Sequence, residues 1–159
     1  MTFLMTTRGI PQVYYGGEIL MTGFKRDGDG SLRKDFPGGW PGDQINGFKG
    51  IGLTAVQIDA QKFMKKLLTW RSGKEVIHNG LLKHYYPRDN FYVYFRYNSK
   101  ESVMVILNLN SENKTLNTSR FKESLNGFTS AEEIMSGNIL NDLNNIVIPA
   151  KTSMILDLK

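Results

Sequence analysis

From Leu53 to Ser72 the apolar residues Leu53, Val56, Ala60, Phe63, Leu67 and Trp70 recur at steps of three and four, and Met64 and Leu68 widen the stripe. That period predicts an amphipathic helix with Thr54 as N-cap and Gly73 as the stop. Gln57, Asp59, Gln61, Lys62, Lys65 and Lys66 fall mostly on the opposite side, so the stripe requires a surface to cover it. Beyond the helix the period shortens to two. Leu81–Tyr86, Phe91–Tyr97, Val103–Leu109, Glu133–Met135, Ile146–Ile148 and Met154–Leu158 read as strands separated by Pro-Arg-Asp-Asn, Asn-Ser-Lys-Glu, Ser-Gly-Asn and Pro-Ala-Lys turns. Phe91, Val93 and Phe95 alternate with Tyr92, Tyr94 and Arg96, which predicts one core face and one half-wet face. The even spacing predicts an antiparallel sandwich, with a helical turn at Arg120–Leu125.

The front of the chain has a different character. Twelve of the 16 glycines lie between Gly9 and Gly52, a density that means turns and close backbone approach. Met1–Thr7 reads as the last turns of a helix ending near Gly9. Ile10–Tyr15 is a short, nearly continuous apolar run, the pattern of a strand buried on both faces. A long glycine-rich loop follows Leu20. Strand, loop and helix make one βα unit, and a single unit of that kind has no sheet of its own.

Composition narrows the function classes. No apolar run reaches the roughly 20 residues that a bilayer-spanning helix takes, and the first residues lack the basic region of a secretory leader. The absence of cysteine removes disulfides, thiol nucleophiles and zinc-cysteine sites, while leaving bacterial periplasm and cytoplasm equally open. The formal charge is +5, but Lys and Arg are scattered from Arg8 to Lys159 rather than gathered on a stripe, so neither a nucleic-acid nor a membrane partner is expected.

The segment FLMTTRGIPQVYYGGEIL resembles the region of the eighth barrel strand in the α-amylase superfamily, glycoside hydrolase family 13. SLRKDFPGGWPGD resembles the neopullulanase and cyclomaltodextrinase branch, of the starch-utilisation type. The helix, KEVIHNGLL and FYVYFRYNSKESVMVILNLN resemble the last barrel helix and the opening strands of that family's C-terminal β-sandwich, and IVIPAKTSMILDL its last strands. The resemblance implies an α+β fragment: the last βα unit of a (β/α)8 barrel at 1–73, followed by an antiparallel β-sandwich C-terminal domain at 74–159. Family members hydrolyse α-glucosidic bonds with retention, using an Asp nucleophile, a Glu general acid and a third Asp. All three motifs precede the matched region, so no catalytic residue is carried over, and this chain alone is expected to be inactive.

In a barrel enzyme the strand ends and following loops wall the cleft. The resemblance therefore makes Tyr15, Glu18, Arg33, Asp35 and Trp40 candidate substrate-binding residues, with α-glucan or maltooligosaccharide as partner. Tyr15 and Trp40 offer ring-stacking faces, and Arg33, Asp35 and Asp43 offer hydrogen bonds. Arg33 pairing with Asp35 is the structural alternative. The DGDG stretch at 27–30 fails as a calcium loop, because position 12 would be Phe36 where a Glu is required. No cofactor is expected in this chain; the resemblance allows calcium in the intact enzyme. His78 and His84 lack ligand spacing for zinc. HYYPRDNFYVYFRY allows a second reading, a non-catalytic starch-binding module; a purely structural domain is a third, and the front segment allows a homodimer.

Overall fold

The computed structural model describes residues 1–159. In chain order the helices are α1 (Thr2–Thr6), α2 (Asp29–Leu32), α3 (Ala55–Ser72), α4 (Glu75–Asn79) and α5 (Lys122–Leu125). The strands are β1 (Leu81–Arg88), β2 (Phe91–Tyr97), β3 (Ser102–Asn108), β4 (Lys114–Asn117), β5 (Ala131–Glu133), β6 (Ile139–Leu140), β7 (Asn145–Ile148) and β8 (Ser153–Leu158). The chain divides into two compact units, Met1–Ile10 with Leu67–Lys159, and Pro11–Lys66.

In the first unit a six-stranded antiparallel sheet has the order β1-β2-β3-β8-β5-β6, and β4 pairs with β7 in a second, two-stranded sheet. Alternation puts Phe91, Val93 and Phe95 of β2 on one face, where they join Met104, Ile106 and Leu156 of their neighbours. Leu116, Ile146 and Ile148 of the small sheet close over that face, with Phe121 and Leu143, to form a dry core. The result is an unequal sandwich. The Asp89-Asn90 hairpin between β1 and β2 carries two consecutive positive-φ residues (54° and 56°), the backbone of the turn that matches strand twist.

The other face of β2 departs from the half-wet expectation. Tyr94 is fully buried and Arg96 is only 1% exposed. The cause is α1, which lies against this face: Phe3 meets Tyr94 edge-on at 6.0 Å, and the Thr6 and Tyr94 hydroxyls share a hydrogen bond. Arg96 has no carboxylate partner. Its guanidinium donates to the carbonyls of Thr6 (3.0 Å), Thr7 (2.9 Å), Gly80 (2.9 Å) and Leu81 (3.3 Å). Arg71 donates to the Met5 carbonyl. Two guanidiniums thus satisfy the carbonyls at the C-terminal end of α1, where the helix dipole favours positive charge. Burial, and then the charges of Arg71 and Arg8, hold the Arg96 pKa below the usual guanidinium value.

Beyond α3, Lys74 reaches Asp157 at 2.8 Å and Glu101 at 3.2 Å, tying the start of α4 to β8. Those two carboxylates outweigh the burial of the ammonium and raise its pKa.

The Pro11–Lys66 unit holds most of the loop and the first part of α3. Thr54 caps α3 as expected, in a reciprocal box: its hydroxyl accepts from the Gln57 amide at 3.4 Å while the Gln57 carbonyl accepts from the Thr54 amide at 3.0 Å. Gln57 and Gln61 then donate to the Ile19 and Gly47 carbonyls at 3.0 and 2.7 Å, pinning the loop to the helix. Met64 and Leu67 are buried, whereas Val56 and Leu68 of the anticipated stripe are exposed.

One expectation is corrected. Ile10–Tyr15 forms no strand, with Tyr15 already in a turn, and the barrel βα unit is not evident. A strand exists through its ladder, and no segment of this chain pairs with it; Ile10 is 100% exposed.

Candidate functional site

The five sequence-derived candidates all lie in the Pro11–Lys66 unit, outside its α-helices; Glu18 sits in a 3-10 turn and the others in turns, bends or irregular backbone. Tyr14 and Tyr15 stack with ring centroids 4.6 Å apart, and the Tyr15 hydroxyl donates to the Lys34 carbonyl at 3.1 Å. The pair lines a hollow of about 520 Å³ together with Phe24, Leu32 and Lys34. Hydrogen bonding with Tyr14, slight burial and the negative charges of Tyr14 and Asp35 raise the Tyr15 pKa; Arg33 acts in the opposite sense. Tyr15, Arg33 and Asp35 are therefore electrostatic neighbours.

Arg33 does not pair with Asp35. Its partner is Asp29, 3.9 Å away and one helical turn earlier in α2. Trp40 is 64% exposed at the tip of its own turn. Asp43 shapes that turn, its carboxylate accepting from the backbone amides of Gly38 (2.7 Å) and Trp40 (3.2 Å). Asp43 is thus a backbone cap that presents the indole. Glu18 is half-buried in a 3-10 turn at Gly17–Ile19. Gly16 precedes it at φ +82°, and a Cβ there would lie 2.3 Å from the Met21 sulfur. The positive φ favours glycine here, and any side chain would also have to displace that of Met21.

Nothing here suits a metal ion. No three His, Cys, Asp or Glu side chains gather at ligand distance. Asp27 and Asp29 of the DGDG stretch face Arg26, Lys25 and Arg33, so the stretch forms ion pairs and a helical turn, and its residues do not fit calcium.

The tyrosine-rich stretch of the sheet is largely structural. Tyr94 is core, Tyr92 packs between Phe3 and His84, and the half-buried Tyr85 bonds Ser124 at 2.8 Å. Tyr86 stands out at 81% exposure beside Arg88, Asn117 and Arg120. Period-two reading of Leu81–Tyr86 separates Tyr86 from Tyr85, but β4 was invisible in the sequence, so the neighbours of Tyr86 were too.

Residues 82–157 match the family profile of the cyclo-malto-dextrinase C-terminal domain. That interval is the sandwich. Over that interval the chain is similar to the C-terminal domain of cyclo-malto-dextrinases. Its mostly antiparallel architecture agrees in fold with solved α-amylases. The chain resembles the α-amylase of Geobacillus thermoleovorans solved with acarbose, at TM-score 0.73 and 22% identity over 99% of this chain and 32% of that one. An Anoxybacillus α-amylase gives TM-score 0.67 at 20% identity over 99% and 30%. The trehalulose synthase MutB of Pseudomonas mesoacidophila gives 0.68 at 15% identity over 99% and 37%. The chain therefore spans about a third of the length of these proteins. These likenesses speak to fold, and enzymes named amylase and synthase share it.

Proposed function

We propose that the chain is the C-terminal part of a retaining α-glucan hydrolase of the neopullulanase or cyclomaltodextrinase type, acting on starch, pullulan or cyclodextrins. In this reading residues 1–73 complete a (β/α)8 barrel and residues 74–159 form the α-amylase-family C-terminal domain behind it. The observation that carries the reading is the breadth of the likeness: the family profile covers 82–157, yet the fold agreement with amylases takes in 99% of the chain, the glycine-rich front included. Tyr15 and Trp40 then supply stacking faces on the cleft wall, and Glu18, Arg33 and Asp35 supply polar contacts to sugar hydroxyls. The nucleophile and general acid come from the preceding barrel strands, as the family chemistry requires. The chain alone should release no reducing sugar from pullulan, β-cyclodextrin or a nitrophenyl maltoside. Turnover above blank by the pure protein would overturn the reading.

The exposed apolar side chains of the Pro11–Lys66 unit, among them Phe48, Trp40, Val56 and Ile51, further suggest that this segment pairs with a second copy when it stands alone. Light scattering should then give a dimer that Phe48→Ser or Val56→Ser weakens; a monomer across the micromolar range would remove this proposal.

A further inference from the structure

The β domain carries two adjoining hollows that its sandwich core does not explain. The first, about 250 Å³, lies between the β1–β2 hairpin and the end of β4. Its floor is apolar, built from the buried faces of Phe91, Leu116 and Phe121, and its rim bears the exposed Tyr86, Arg88 and Arg120. The second, about 490 Å³, shares Asn117 and Ser119 with the first and adds the amides of Asn126, Asn141 and Asn144. An exposed aromatic face beside planar amides and guanidiniums is the chemistry that recognises a sugar chain. The ring face stacks on the tyrosine, and neighbouring hydroxyls take paired hydrogen bonds from Asn and Arg.

Local contacts hold parts of the platform in place. Asn117 is held by Asn145 at 3.1 Å and accepts from the Ser119 amide at 3.1 Å. Arg120 lies over the Phe121 ring with its carbon 6.0 Å from the centroid. Arg88 contacts only the exposed Asp89, at 3.6 Å, so its donors remain open to solvent.

We infer that these hollows form a secondary, non-catalytic binding site for an α-1,4-glucan chain, centred on Tyr86 and Arg120 and continuing along Asn117. The choice of α-glucan rests on the proposed function; the existence of a sugar site rests on the geometry. The site would hold polymer near the enzyme independently of the cleft.

The test is an NMR titration of the uniformly 15N-labelled chain with maltoheptaose, and with cellohexaose as the β-linked control. Maltoheptaose should move the amides of residues 86–89 and 117–121 with saturation in the millimolar range, and cellohexaose should not. Tyr86→Ala should weaken binding at least about tenfold, with Arg120→Ala behind it. Both side chains are exposed, so the variants' spectra should stay dispersed and report binding alone. Three results overturn the inference: no shifts at these residues with 10 mM maltoheptaose (about ten times the expected half-saturation), shifts undiminished in Tyr86→Ala, or equal response to cellohexaose. Shifts confined to residues 14–40 would support the cleft-wall reading and overturn this one.

Discussion

Replacing Arg96 by methionine tests how α1 is fixed to the sheet. The guanidinium donates to four carbonyls, three of them within 3.0 Å, and it is buried without an anion. Hydrogen bonds to a charged donor contribute about 1.5–3 kcal/mol each, and the desolvation of the unpaired cation cancels part of that sum. Methionine fills a similar volume but leaves the Thr6, Thr7 and Gly80 carbonyls without donors, so the net loss should be about 3–4 kcal/mol. At roughly 2–4 °C per kcal/mol, Tm should fall by about 6–16 °C in a circular dichroism melt. Hydrogen exchange should show the Met5 and Thr7 amides, which bond Met1 and Phe3 carbonyls, losing protection first. Arg96→Lys should fall between the two, because one ammonium reaches only part of the carbonyl set. A Tm within about 2 °C of wild type for Arg96→Met would refute the reasoning, showing that water serves these carbonyls equally well.

Alkaline pH probes the same junction. Burial, first among its causes, raises the Tyr94 pKa from 10.0 to about 12, against the opposing effect of its hydrogen bond with Thr6. A phenol raised in this way stabilises fully below pH 10, and its contribution is lost as pH climbs from about 10 through about 12, on the order of 2–3 kcal/mol. Tyrosinate absorbance should show a late-titrating residue that Tyr94→Phe removes; all seven tyrosines ionising near pH 10 in a natively folded chain would contradict it. Gly80→Ala is expected to cost about 2 kcal/mol in urea denaturation. The reason is space rather than conformation: φ is −68°, but a Cβ would meet the Val76 carbonyl oxygen at 2.2 Å. An unchanged urea midpoint would mean that α4 can shift at no cost.

Sequence patterns located the elements whose partners are close in the chain. Phe91–Tyr97 was delimited to the residue, and α3 to within one residue with Thr54 as its cap. The β4 strand escaped because Lys114–Asn117 is mostly polar, with Leu116 alone facing the core. Ile10–Tyr15 failed for the opposite reason: it has strand composition, but composition supplies no ladder. Tyr94 and Arg96 were misjudged because their cover, α1, sits nearly ninety residues away in sequence and period-two alternation carries no information about it. The candidate site was legible only as residue types near one another in a loop. The backbone role of Asp43 and the choice of Asp29 over Asp35 by Arg33 depended on turns that glycines make too variable to read.

The strand order β1-β2-β3-β8-β5-β6 puts the last strand made into the middle of the sheet. A ribosome delivers β1, β2 and β3 as a finished meander, then spells out some 45 more residues, from Asn108 to Ser153, before the strand that must lie against β3 exists. At about 5–20 residues per second that interval is roughly 2–9 s, long compared with the formation of a hairpin. Throughout it, the open edge of β3, lined by Val103, Val105 and Ile106, is a template for any extended chain nearby. The nascent domain therefore has a vulnerable period set by topology, during which chaperone binding would decide its yield and after which the edge no longer exists.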